Sequence, residues 1–186
     1  MRFGLFVPQG WRMDLAGIAP ADQWKAMHGV AAAADVGSTW ESVWVYDHFH
    51  TVPIPSEEAT HEAWTLMAAF AASTTRVRLG QMCTCMAYRN PAYLAKVAAP
   101  IDVISGGRVE MGIGAGWYEH EWRAYGYGFP SAGERLAALD EGVQIEPAVV
   151  DRHGDAAGRA LPGRRRDRPT AAAAGGRHPA VDRRRR

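Results

Sequence analysis

An aspartate and a histidine stand side by side near residue 47, directly after the apolar run VWVY at positions 43–46. Runs of β-branched and aromatic residues are typical of buried strands, so we expect Asp47 and His48 at the carboxyl end of a strand. A carboxylate and an imidazole placed there can hydrogen-bond a ligand and exchange a proton with it. A capping aspartate beside a polar histidine on the rim would leave the same pattern, so position alone leaves both interpretations open.

Three glycines alternate in the segment GIGAGW, which covers positions 112–117. Because glycine has no Cβ, this backbone could approach a flat ligand or a phosphate closely. The spacing G-x-G-x-G differs from the dinucleotide fingerprint G-x-G-x-x-G, and the segment comes late in the chain. A tight turn between a strand and a helix would use the same glycines, and this second interpretation also stays open.

A third segment, LGQMCTC at positions 79–85, is followed by YRNP at positions 88–91. Thr84 could donate a hydrogen bond to a ligand, although the pattern by itself favours packing in the core. Cys83 and Cys85 are two residues apart, and a disulfide between such neighbours in one strand would be strained. We therefore expect two buried free thiols, as in cytoplasmic proteins.

Apolar periodicity predicts that strands and helices alternate over the first 145 residues. The strands are expected at 2–8, 42–46, 77–84 and 108–113, and the helices at 20–36, 62–74, 91–104 and 132–145. Gly37 should end the first helix, and the pair Gly106-Gly107 should turn the chain after the third. This alternation predicts a parallel sheet whose chemistry gathers at the carboxyl ends of its strands.

The order of these segments resembles the luciferase-like monooxygenase superfamily, and more narrowly the branch assigned to the deazaflavin coenzyme F-420. The segments that carry the resemblance are VWVYDHF, RVRLG, YRNPAYLAK and GGRVEMGIGAGWYEHEWRAYG, in that order within residues 1–145. The resemblance implies a (β/α)8 barrel of the TIM type, which needs about 250 residues. The chain is therefore expected to have an α/β fold with parallel strands that forms the first half of such a barrel.

The resemblance also implies a cofactor ring across the carboxyl ends of the strands, with coenzyme F-420 as a hydride carrier and FMN as the alternative. Asp47 would contact the cofactor, and His48 would position a small organic substrate or donate a proton to it. The third strand would carry a backbone bulge with a non-proline cis peptide that supports the ring from behind. The remaining residues that would contact the cofactor are Met82, Cys83, Thr84, Ala115 and Gly116.

Two positions depart from the sugar-phosphate dehydrogenases of this branch, which place an acidic residue directly after the fourth-strand glycine and a tryptophan four residues after the histidine. Here these positions hold Trp117 and Val52, so that substrate is not carried over. Trp11, Trp117 and Tyr118 could line the pocket or serve as ordinary packing residues. The family binds the cofactor phosphate largely through later strands, which we expect to be missing from this chain.

The composition changes abruptly near residue 145. Residues 1–145 carry a net charge of −5, whereas residues 146–186 carry 11 arginines and a net charge of +6, and every aromatic residue lies at or before Phe129. A segment so poor in apolar side chains cannot offset its ordering entropy, so residues 146–186 are expected to form a disordered, low-complexity tail. Its bias toward Arg, Ala, Gly and Pro is typical of GC-rich DNA read out of frame, and codons chosen for residues 177–186 read GIPLWIAGG when shifted by one base. The hypothesis is a frameshift near Ile145 that destroyed the second half of a normal enzyme.

Three alternatives remain open. The arginine-rich tail could bind nucleic acid, although no aromatic residues accompany it and the first 145 residues are acidic. The H-x-H spacing of His48 and His50 is used by metallohydrolases, although no partner ligands stand at other strand ends, and we expect no metal. The chain could also be an inactive barrel fragment with open strand edges.

The sequence has no run of 18 apolar residues and no secretion signal, so we expect a cytoplasmic protein without membrane contact. Its expected partner is a small-molecule substrate rather than a specific nucleic acid. Pairing of two copies into a homodimer is a further hypothesis.

Overall fold

The structure, a computed structural model, describes residues 1–153, and of residues 146–153 it describes the backbone alone. The predicted tail therefore lies outside the described residues, except that the last helix continues from its predicted end at residue 145 to His153. The disorder, the frameshift and the nucleic-acid binding predicted for that tail remain predictions.

Four strands form one parallel sheet in the order β1-β2-β3-β5, which confirms the parallel α/β fold. The strands are β1 (Gly4–Phe6), β2 (Ser42–Val45), β3 (Arg78–Gln81) and β5 (Val109–Glu110). A second, two-stranded parallel pair joins β4 (Thr84–Cys85) to β6 (Ile113–Gly114). Strands β4 and β6 follow β3 and β5 of the main sheet, at the end where chemistry was expected.

The prediction of continuous strands at 77–84 and 108–113 is wrong, because each of these segments is divided into two short strands that belong to different sheets. The first is interrupted at a cis peptide bond between Met82 and Cys83, which confirms the non-proline cis peptide that the resemblance implied. The second is interrupted at Gly112, whose carbonyl accepts a hydrogen bond of 2.8 Å from the Thr84 N–H. The backbone groups that leave the main sheet thus bond to each other.

The predicted helices are confirmed, with bounds within one or two residues except at the end of the last. They are α1 (Pro20–Val36), α2 (Ala63–Ser73), α3 (Pro91–Ser105) and α5 (Ala132–His153), and a short helix that was not predicted is α4 (Glu119–Ala124). The carboxylate of Glu62 accepts from two N–H groups in the first turn of α2, and Asn90 does the same for α3. Gly106 and Gly107 both have positive φ, as the predicted turn requires. Within the described residues, none of the helices has the length and apolar character to cross a bilayer.

The two faces of the main sheet have different surroundings. One face is buried against the helices through Val43, Val45 and Leu79. The other face is open over the described residues and lines a groove of about 410 Å³. Trp44 lies across this open face and against Gly80, where a Cβ would come within 2.4 Å of the indole ring. The buried face therefore fixes the strands, and the open face leads toward the strand ends that carry the candidate site.

Candidate active site

Asp47 follows β2 and is almost fully buried, with 2% of its surface exposed. Its carboxylate accepts two hydrogen bonds from Arg89, of 2.7 and 2.8 Å, and a third of 2.8 Å from the Cys85 N–H. Arg89 also donates to Glu62 at 2.6 Å. Burial alone would lower the pKa of Arg89, but the carboxylates of Asp47 and Glu62 raise it. The carboxylate predicted to contact the cofactor is thus engaged inside the protein, where it joins β2 to β4 and α2.

His48 faces a buried carboxylate that comes from α4. Its Nδ1 atom lies 3.2 and 3.3 Å from the two carboxylate oxygens of Glu121, a side chain with no exposed surface. Glu121 also accepts from the Tyr88 hydroxyl at 2.6 Å, and from the N–H groups of Phe49 at 2.8 Å and His50 at 3.1 Å. Burial would raise the pKa of Glu121, but these hydrogen bonds outweigh it and hold the pKa below its usual value. The carboxylate is therefore ionised at neutral pH.

Aromatic rings surround the His48 imidazole on its other sides. The Trp11 ring is parallel to it, with centroids 4.5 Å apart and an interplanar angle of 1°. Trp117 and Tyr118 approach the imidazole edge-on at 6.0 and 6.2 Å. Trp11 is buried, whereas 60% of the surface of Trp117 is exposed. The three aromatic residues proposed as a pocket wall thus lie around His48, and the open side of this wall is formed by Trp117.

The cis peptide between β3 and β4 places two neighbouring side chains on the surface. Met82 is 53% exposed, and Cys83 is exposed as well, which corrects the prediction that both thiols are buried. The two thiols differ in exposure although both sulfurs lie against the alternating glycines, Cys83 beside Gly114 and Cys85 beside Gly116. Cys85 is a buried free thiol as predicted, and burial raises its pKa to about 12.

Thr84 lies beneath this surface rather than on it. It is completely buried, and its hydroxyl donates a hydrogen bond of 2.6 Å to the Gln81 side chain. The hydroxyl proton predicted to be available for a ligand is therefore already used within the protein.

The glycines of GIGAGW bring the backbone close to the protein's own atoms. A Cβ on Gly112 would lie 2.1 Å from the Gln81 carbonyl oxygen, and a Cβ on Gly114 would lie 2.8 Å from the Cys83 sulfur. Gly116 has a φ of +75°, and a Cβ there would meet Trp122 and the Cys85 sulfur at 2.6 and 2.7 Å. The close approach that the glycines allow is thus filled by neighbouring strands, while Ala115 between them is half-buried. The parallel register of β4 and β6 places Met82 and Cys83 before this strand pair and Ala115 and Gly116 after it, so the four predicted residues lie on neighbouring segments at opposite ends of the pair.

Sequence reasoning missed three residues of this site: Tyr88, Arg89 and Glu121. The resemblance motifs contained all three, but no spacing rule relates Glu121 to His48, which is 73 residues earlier. Arg89 stands directly before the helix cap Asn90, in the loop between β4 and α3. In a parallel sheet the loop between a strand and the next helix lies at the carboxyl ends of the strands, so this position was a signal for Arg89. The described residues contain no group of three or more His, Cys, Asp or Glu side chains able to hold a metal ion, so the H-x-H motif has no partner ligands there.

Comparison with known proteins gives a family and several relatives. A family model for luciferase-like monooxygenase matches residues 1–182. An F420-dependent glucose-6-phosphate dehydrogenase from Amycolatopsis mediterranei (strain U-32) is 37% identical over 109 residues, which are 56% of this chain and 32% of that protein. The chain thus spans about a third of the length of this curated relative.

Solved structures share the fold over the described part of the chain. An F420-dependent secondary alcohol dehydrogenase, solved with an F420-acetone adduct, is 28% identical with a TM-score of 0.63, covering 78% of this chain and 41% of that one. The oxygenating constituent of 3,6-diketocamphane monooxygenase from Pseudomonas putida, solved with FMN, is 22% identical with a TM-score of 0.63, covering 78% and 38%. The second likeness concerns the fold alone.

Proposed function

The chain belongs to the luciferase-like monooxygenase family, and from this premise we propose that it supplies one side of an oxidoreductase site that transfers a hydride between coenzyme F-420 and a small organic substrate. The observation that carries the proposal is the pair of His48 and Glu121, held at the same sheet edge as the exposed cis step of Met82 and Cys83. The His48 imidazole, hydrogen-bonded to a buried carboxylate, is suited to proton exchange. The exposed side chains of Met82 and Cys83 offer a surface on which the flat ring of a cofactor could lie.

The surface around the cis step fits a deazaflavin or flavin ring. Met82 and Cys83 present apolar and weakly polar atoms to solvent, and Ala115 and Gly116 lie on the neighbouring segment without long side chains. These four residues would hold the ring, with Thr84 packed behind them. Asp47 would act on the same ring indirectly, since its carboxylate fixes the Cys85 backbone and Arg89. Bound there, a reduced deazaflavin or flavin supplies the hydride.

His48 would donate or accept the proton that accompanies hydride transfer. With Nδ1 directed at Glu121, the ring can donate or accept a proton only through Nε2. A substrate carbonyl that becomes an alcohol gains a proton on its oxygen, and the protonated His48 ring is suited to donate it. Trp11 and Trp117 would exclude water from the ring on two sides.

The aromatic wall indicates an apolar organic substrate rather than a sugar phosphate. Trp117 stands where the sugar-phosphate dehydrogenases of the family resemblance have an acidic residue, and it is exposed beside His48. An exposed indole offers apolar contact area to a substrate and no ion pair. The substrate proposed is therefore a small alcohol or carbonyl compound.

Cofactor titration tests the proposal. We would titrate the 186-residue chain with coenzyme F-420 and, separately, with FMN, and follow cofactor fluorescence. The variant Met82→Asp, which places a charge on the proposed ring surface, should weaken binding at least about tenfold, or about 1.4 kcal/mol. The matched control is Val36→Asp, which makes the same change at an exposed apolar residue on the end of α1 and should leave binding unchanged.

The outcomes separate the candidate functions. Preference for coenzyme F-420 supports hydride transfer. Preference for FMN supports a monooxygenase, and the oxygenating constituent of 3,6-diketocamphane monooxygenase, solved with FMN, has the same fold. If neither cofactor binds the present chain, but one of them binds a protein whose reading frame has been restored after residue 145, the present chain is an inactive fragment. If the restored protein also fails to bind, the proposed function is wrong. Size-exclusion chromatography of the same samples tests the predicted homodimer.

A further inference from the structure

Three hydrogen-bond donors other than the His48 ring surround the carboxylate of Glu121, and this arrangement determines its role. The Tyr88 hydroxyl and the N–H groups of Phe49 and His50 all donate to it. An N–H group cannot accept a hydrogen bond, so only the hydroxyl could accept one from a protonated carboxyl group. Burial and the neighbouring Glu121 raise the pKa of Tyr88, so its hydroxyl remains the donor. Glu121 is consequently an acceptor toward every partner.

An acceptor-only carboxylate fixes where the hydrogen of His48 lies. A neutral imidazole carries its hydrogen on one of two nitrogens, and the choice follows from the hydrogen bond that the ring makes. Nδ1 faces the carboxylate at 3.2 and 3.3 Å, so the hydrogen must be on Nδ1. The opposite tautomer would place a nitrogen lone pair against a negative charge. Among the described residues, no hydrogen bond is made by Nε2 of His48, whose side chain is 12% exposed.

The ring is also prevented from turning. Trp11 stacks on one face with parallel planes, and the edges of Trp117 and Tyr118 lie across the remaining approach. Rotation of the imidazole by half a turn about its Cβ–Cγ bond would require the stacked contact to open and would place the Cδ2 carbon at Glu121. Tautomer and orientation are thus fixed by different neighbours.

We propose that Glu121 is the positioning residue of this site, holding His48 in its Nδ1–H tautomer with Nε2 left available for proton exchange, and that Tyr88 supports it by occupying the same carboxylate. The role of Nε2 in proton exchange rests on the proposed function, whereas the tautomer does not. The three residues come from three segments of the chain. His48 follows β2, Tyr88 follows β4, and Glu121 lies in α4.

Nitrogen-15 NMR of the chain labelled in histidine tests the proposal without cofactor. Spectra recorded above the titration range of the ring distinguish Nδ1–H from Nε2–H, and the His48 signals are identified by their loss in His48→Gln. We expect His48 in the wild-type chain to favour Nδ1–H by roughly tenfold or more, as a hydrogen bond to a charged group would. A wild-type His48 that is mainly Nε2–H overturns the proposal.

Two variants on the same helix make the test specific. Glu121→Gln removes the charge and one acceptor oxygen, and the share of the Nδ1–H form should fall. Glu119→Gln is the matched control, since Glu119 is exposed and pairs with Arg123 one turn along α4, and it should leave His48 unchanged. Tyr88→Phe should change the His48 signals less than Glu121→Gln does. An unchanged tautomer in a folded Glu121→Gln variant shows that Glu121 does not position the ring.

The two proposals fail independently. The expected tautomer, together with no binding of coenzyme F-420 or FMN by either the present chain or the protein with its reading frame restored, supports Glu121 as the positioning residue and refutes the proposed function. Cofactor binding together with the wrong tautomer does the reverse. Where turnover is measurable, Glu121→Gln should lower kcat about tenfold or more while cofactor affinity stays the same, because the carboxylate acts through His48.

Discussion

Arg89 and Asp47 form a two-pronged ion pair across the strand ends, with hydrogen bonds of 2.7 and 2.8 Å and only 12% of the Arg89 side chain exposed. The pair connects the residue that follows β2 to the residue that precedes α3, and the Cys85 N–H bonds to the same carboxylate. Because both charges are buried, each depends on the other for compensation.

Removal of one partner of the buried pair should destabilise the fold strongly. Asp47→Ala leaves the Arg89 charge paired only with Glu62, and we expect a loss of about 3 kcal/mol in the free energy of unfolding. Urea denaturation measures it. The matched control is Glu41→Ala, which breaks the exposed pair of Arg2 and Glu41 and should cost less than about 1 kcal/mol. Equal losses in both variants would contradict a structural role for Asp47.

Asp35 should make stability depend on pH in acid. Burial alone would raise its pKa, but its carboxylate accepts from the N–H groups of Val77, Thr75 and Arg76, and the pKa falls from 3.8 to about 2. Since the folded pKa lies below the unfolded one, this stabilisation is complete above about pH 4 and is lost as the pH falls toward 2. The difference in unfolding free energy between wild type and Asp35→Asn should therefore shrink over that interval. A constant difference would exclude the carboxylate as its source.

The two thiols should react at very different rates. Cys83 is exposed, whereas Cys85 is buried with its pKa raised to about 12, so little of it is thiolate near neutral pH. Iodoacetamide at about pH 8.5 should label the native chain once, at Cys83. Burial and the Asp47 charge also raise the pKa of Cys83, so labelling should speed up as the pH rises further. Mass spectrometry locates the label, and a native Cys83→Ser variant that is still labelled would refute the prediction.

Two glycine substitutions should act in opposite directions. Gly80→Ala puts a Cβ 2.4 Å from the Trp44 ring, so the indole must shift, and we expect a loss of about 1–3 kcal/mol with a change in tryptophan fluorescence. Gly29 lies inside α1 with open space around a built Cβ, and Gly29→Ala should stabilise the fold by up to about 1 kcal/mol. Thermal denaturation compares the two. Stabilisation by both would mean that Trp44 adapts freely to the added methyl group.

Sequence patterns determined the elements because those patterns have local causes. Helix α1 was predicted from residue 20 to residue 36 and has those bounds, since Pro20 begins it and Gly37 follows its end. The same holds for α3, where the cap residue Asn90 precedes a proline. The parallel sheet followed from the alternation of strands and helices, and family resemblance added the cis peptide at Met82 and Cys83. Neither composition nor periodicity could have indicated that bond.

Only the tertiary structure decided which polar groups face one another. Their position alone made Asp47 and His48 equivalent neighbours at a strand end, and the family resemblance gave them different roles toward a ligand, yet neither predicted that Asp47 pairs with Arg89 while His48 faces Glu121. Local propensity cannot distinguish them, because the partners come from segments 42 and 73 residues further along the chain. The energy that selects these pairs is the cost of burying a charge without compensation, and it exists only after the strands have brought the segments together.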